Sequence, residues 1–270
     1  MRNGVLVGLL AVAWSLGAAA ARAQGPEVVV PTNVAAGAAP YNALVLQQIR
    51  AMPALGGYSA SHAASVKLGG SVSLDALTGL NVLPAQAQPS YCSGATYLVF
   101  LKAVNTLVAR GEVPRDERTL APLLIAGQRD GEGVWGRWNA NGPGTARLFY
   151  QLGLGPNFSE WSRAQAGDFM KIFWNNNVGR REHGHSVVFL GEETANGVPS
   201  VRFWSSNLGV GYSEKVVPKA KIAAVVFSRL TNPRGVVRAG TLAPRVDPYL
   251  ASLLTADSSM AEVRQQCGMP

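Results

Sequence analysis

This 270-residue chain contains only two cysteines and three histidines. So few thiols exclude a disulfide-stapled scaffold. No HExxH run or short Cys/His zinc motif is present. Charged residues make up only 15% against 47% apolar, which excludes a disordered chain and predicts a buried core. Internal repeats are lacking, as is any aromatic–basic ladder suited to nucleic acid. Beyond the N-terminal stretch, no segment reads as long and apolar enough to cross a bilayer. The formal charge of +8 is spread thinly, with nothing denser than Arg180-Arg181 and a loose Arg234, Arg238, Arg245 set. Such a surface suits a compartment rich in anionic polymers or headgroups; an ordinary soluble surface explains it equally well.

What is present begins with MRNGVLVGLLAVAWSLGAAAARAQ. Arg2, the apolar run Val5 to Leu16 and the small-x-small triplet Ala21-Arg22-Ala23 have the order of a secretory signal, residues 1–23. An uncleaved anchor is the alternative. Cleavage removes Arg2 and Arg22, lowers the charge from +8 to +6, and places the protein in the periplasm or outside the cell. No integral membrane segment would then remain. An oxidising compartment makes a Cys92–Cys267 disulfide an alternative to a working thiol, although Cys267 lies in a polar tail.

Residues 24–40, rich in Pro, Gly and Ala, read as an extended arm. YNALVLQQIRAM gives a helix over 41–52, stopped by Pro53. A weaker helix is expected over 62–68, then a mostly irregular connection through LDALTGLNVLPAQAQPS. From Ser93 to Arg110, Tyr97, Leu101, Val104 and Val108 form one apolar stripe, predicting a half-buried helix that Gly111 terminates. LAPLLIAGQ and TARLFYQLGL read as short helices around a loop, DGEGVWGRWNANGPG, of the length and composition that binding loops have. DFMKIFW, HSVVFLG, PSVRFWSSN and IAAVVFSRL are strand-like. Helices first and sheet second predict an α+β domain over 41–231, with an antiparallel sheet of about four to six strands and an extension over 232–270 carrying one short helix.

Cys92 stands at the mouth of the long helix, where unpaired N–H groups and the helix dipole favour a thiolate. Its own N–H is a candidate oxyanion donor, and Gly94 permits close backbone approach. His183 and His185 lie one residue apart, on one face if both are in a strand. His185 leads the apolar run SVVFLG and is the better-fixed base; His183, beside Arg181 and Glu182, reads as a solvated turn residue. Asn207, or else Ser205, is placed to orient the imidazole. Cys92, His183 and His185 as zinc ligands are a weaker reading, since their spacing matches no established motif. An inert buried thiol is the bland one.

CSG opening a long apolar helix, then AGDFMKIFW, then GHSVVFLG, resembles the NlpC-type bacterial cysteine peptidases of the papain-like superfamily, over about residues 89–230. The resemblance implies a papain-like domain, a Cys92 nucleophile, a His185 base and an orienting residue near Asn207. It also implies amide cleavage in the peptide stems of peptidoglycan, or in another peptide, with no cofactor. Tyr91 stands where many members carry an Asp tied to recognition of the stem's free amine. Tyr91, Ser93, Tyr58 and the loop pair Trp138 and Asn139 are the candidate substrate contacts. The rival readings are a thiol amidase or acyltransferase with a substrate outside the cell wall, and a non-catalytic glycan- or protein-binding module. The oligomeric state is not legible in the sequence.

Overall fold

The computed structural model describes residues 41–124, 138, 142–242 and 246–270. The signal and arm, most of the Trp-rich loop and Asn139 lie outside the described residues.

Helix α1 (Asn42–Arg50) buries Leu44, Val45 and Ile49 and stops before Pro53. Strand β1 (Leu55–Gly56) leads to α2 (His62–Gly70), capped by Ser61, whose Oγ accepts from the Ala64 N–H. The segment expected to be irregular is instead a hairpin, β2 (Val72–Asp75) and β3 (Gly79–Val82). Its turn chemistry is local: the Asp75 carboxylate accepts from the N–H groups of Leu77 and Thr78, and Gly79 takes φ 98°.

The central helix α3 (Cys92–Ala109) is buried on more than the expected stripe, including Gly94, Val99, Leu98 and Ala103. The sheet, α1 and the β2–β3 hairpin pack around it. Contrary to the sequence expectation, α3 has the length and hydropathy of a bilayer span, yet two-thirds of it lies inside the fold. An apolar helix of that kind is here a core helix. After α4 (Glu117–Leu120) and α5 (Gly144–Leu152), which ends on Gly153 at φ 61°, the chain enters the sheet.

The strands are β4 (Asn157–Phe158), β5 (Phe169–Phe173), β6 (Val178–Gly179), β7 (Gly184–Ala195), β8 (Val198–Asn207), β9 (Gly211–Pro218) and β10 (Ala224–Ser228). The main sheet has seven strands in the order β1-β9-β8-β7-β5-β10-β4, antiparallel throughout. The expected four are β5, β7, β8 and β10. The count exceeds the predicted range because β1 and β4 are two residues long, and because polar Ser213, Glu214 and Lys215 hide β9. The fold class is α+β.

The Gly167-Asp168 turn before β5 is a tie-point. The buried Asp168 carboxylate accepts from Asn42 Nδ2 (2.9 Å) and from Arg229 Nε (2.8 Å) and Nη2 (2.7 Å), joining α1 and the end of β10 to β5. One sheet face carries Met170, Ile172, Val187, Phe203, Val225 and Phe227 into a core cluster; the other carries Phe169 toward Phe100 of α3.

Residues 232–242 and 246–270 are bound into the same compact unit. In place of one helix they form a 3-10 helix (Pro233–Thr241), α6 (Pro248–Ser252), β11 (Asp257–Ser258), which pairs with β6, and α7 (Met260–Gln266). Cys267 is buried, not in a solvated tail, and both cysteines are free thiols, so the disulfide alternative fails.

Candidate active site

Cys92 is the first residue of α3 and half-buried. Tyr91 precedes it in an extended conformation (φ −119°, ψ 168°) without capping the helix by its side chain. The first-turn N–H groups therefore face the thiol's surroundings. The entry to α3 is tied to the sheet: Ser206 Oγ donates to the Ser90 carbonyl (2.8 Å), and Ser90 bridges to Tyr58.

His185 enters near the start of β7, and the β7–β8 pairing of Val188 with Trp204, carried three residues back, sets it opposite Asn207. Opposed residues share a sheet face. His185 Nε2 and Asn207 Oδ1 are 3.0 Å apart. The Asn207 amide is oriented by its own donors, Nδ2 giving hydrogen bonds to Ser213 O (2.8 Å) and Ser213 Oγ (3.0 Å). Oδ1 can only accept, so His185 Nε2 carries the proton and Nδ1 is left for the thiol. The ring lies against Trp174 (centroids 6.5 Å, 28°) and the edge of Phe203 (5.6 Å, 71°).

Burial pushes the Cys92 thiol up; the hydrogen bond and charge of His185, the Lys171 ammonium and the Ser186 N–H outweigh it and bring it down to about 7. Lys171 and Glu182 form a buried ion pair at 2.5 Å beside the site. The sequence signal for it is a lysine inside the strand-like apolar run FMKIFW.

Of the other candidates, Ser205 is buried and donates to the Ser186 carbonyl (2.7 Å), not to His185. His183 is exposed in the turn before β7, off the strand that carries His185. Tyr91 points into the protein, its hydroxyl 3.3 Å from Ser65 Oγ. Tyr58 is half-buried and contributes backbone to the α3 entrance. Ser93, which follows Cys92 in α3, and Trp138 line one cavity together with Ser186. Gln151 and Asp247, which hold Trp138 through hydrogen bonds, carried no signal in the sequence. Among the described residues, no group of three His, Cys, Asp or Glu side chains is gathered as metal ligands.

The arrangement can deprotonate a thiol, orient the imidazolium that results, and return its proton to a leaving group. The chain matches no protein-family model, no curated protein and no solved structure.

Proposed function

We propose that this chain is a papain-like cysteine hydrolase of the NlpC type, exported from the cell and cutting an amide bond in peptidoglycan stem peptides. The observation that carries the reading is the relay Asn207 Oδ1 to His185 Nε2, with the other ring nitrogen at a helix-terminal thiol lowered to about 7. The Cys92 thiolate adds to the carbonyl carbon, and the oxyanion forms beside the α3 N-terminus. His185 gives its proton to the departing amine as the C–N bond breaks. Water, deprotonated by His185, then cleaves the thioester, and the thiol is restored without a cofactor.

The test is digestion of purified peptidoglycan by the protein and by Cys92→Ala, with released fragments identified by mass. Fragments from the native protein alone are expected; identical inert profiles under reducing conditions would sink the cell-wall substrate.

A second reading has its own observation. Tyr91 is buried against Ser65, so its side chain is not offered to a stem's free amine. That favours a thiol amidase or acyltransferase whose acyl donor lacks that amine. Release of a model amide's amine without change to peptidoglycan would select it.

A further inference from the structure

One residue on from Cys92, α3, α5 and β5 enclose a slot walled by Ser93, Thr96, Phe100, Leu148, Phe169 and Trp138, and lined also by Ser186, whose N–H meets the Cys92 thiol. Its volume is ≈ 20 Å³, about the room one ordered water fills, and so close to that of a methyl group. Among the described residues that line it, none carries a charged side chain, so it suits an uncharged occupant.

The pleat fixes which side of the reaction the slot serves. Phe169 and Ser186 line it, and their pairings with Val188 and Lys171 put them on the sheet face toward α3. His185 pairs with Ile172 and so lies on the opposite face. A leaving group must lie toward His185 to take its proton. The slot is therefore on the acyl side.

Trp138 is held rather than merely packed. Its Nε1–H donates to Gln151 Oε1 at 2.7 Å, and Gln151 Nε2 donates to Asp247 Oδ2 at 2.5 Å. The fully buried Asp247 carboxylate also accepts from Arg147 Nε (3.0 Å) and the Leu250 N–H (2.9 Å). A wall anchored this way does not swing aside without stranding buried polar groups.

We propose that Trp138 sets the acyl-side specificity of Cys92 by closing the slot to side chains larger than a methyl group, so that the acyl residue at the scissile bond is glycine or alanine. The proposal rests on the thiol-hydrolase reading above. It places Trp138 as a specificity residue and Gln151 and Asp247 as positioning residues.

The experiment is alkylation of Cys92 in the full chain by matched peptidyl chloromethyl ketones ending in glycine, alanine, leucine or phenylalanine. Each rate is divided by that for iodoacetamide at the same pH, with adducts located by mass. The wild type is expected to favour the glycine and alanine probes by at least ~10-fold. Trp138→Ala is expected to erase that preference. Gln151→Leu, which keeps the wall but removes its anchor, is expected to narrow it to roughly a third. Equal rates for all four probes in the wild type, or a preference unchanged in both variants, overturns the proposal. If Cys92 reacts with iodoacetamide no faster than an ordinary thiol, the hydrolase reading itself fails, and the proposal falls with it by a distinguishable route.

Discussion

The thiolate is the form of Cys92 that reacts, so the direction of its shift fixes a pH dependence. Because His185, Lys171 and the Ser186 N–H bring the thiol down to about 7 against burial, alkylation should be slow in acid and rise through a midpoint near that value. In His185→Ala the largest lowering contributions vanish, so the midpoint should move upward, toward the ordinary thiol value of about 8.5. Iodoacetamide rates from pH 5 to 10 measure both. Asn207 and Ser205 separate just as cleanly. Asn207→Ala frees the imidazole and should slow alkylation at pH 7 by roughly 10- to 100-fold. Ser205→Ala removes only the donor to the Ser186 carbonyl; it should cost about 1 kcal/mol in urea unfolding and leave the alkylation rate unchanged. The positions of Cys92, His185 and Asn207 were legible because each stands at the end of a strong local pattern. Lys171, Gln151 and Asp247 were not, since only tertiary packing makes them neighbours of the site.

At the scale of elements, period and length decided what could be read. The apolar spacing of α3 and the β-branched runs of β5, β7, β8 and β10 are strong signals, and all five elements are present. The pattern could not say that α3 is surrounded, because burial on several sides depends on the hairpin and α1. Strand β9 escaped because Ser213, Glu214 and Lys215 break its apolar run, yet it pairs with β8 from Ser200 to Asn207 and carries Ser213, which turns the Asn207 amide. Its first residue, Gly211, has φ 94°, and a Cβ there would come within 2.2 Å of the Leu55 carbonyl oxygen. Gly211→Ala should therefore cost about 2 kcal/mol or more, and should lower Cys92 reactivity by loosening the turn after Asn207. Gly197, at φ 77° in the β7–β8 turn, has open space where a Cβ would lie. Gly197→Ala should cost about 1 kcal/mol from backbone strain alone and spare reactivity. Urea midpoints and iodoacetamide rates for the two variants check the contrast.

For the whole molecule, the C-terminal segment 246–270 acts as a clasp. Asp247 meets Arg147 and Gln151, the Cys267 carbonyl accepts from Asn157, and Asp257 pairs with Arg181. Asp247→Ala leaves the largely buried Arg147 guanidinium without its carboxylate, and should destabilise the fold by about 3–5 kcal/mol in denaturant unfolding. Burial holds the Cys267 thiol up at about 12, so a disulfide reagent at neutral pH should titrate one thiol in the native protein and the second only after unfolding. Two fast thiols, or none, would contradict this placement. The clasp also orders events in time. A chain still emerging from its ribosome can assemble the α3 helix and several strands, yet Gln151, which holds Trp138, lacks its own anchor until Asp247 has been made. Contacts of such wide sequence separation form late and slowly. For a protein proposed to cross a membrane before it works, that delay keeps the chain threadable and the thiol's pocket unfinished while the cell's own interior is within reach.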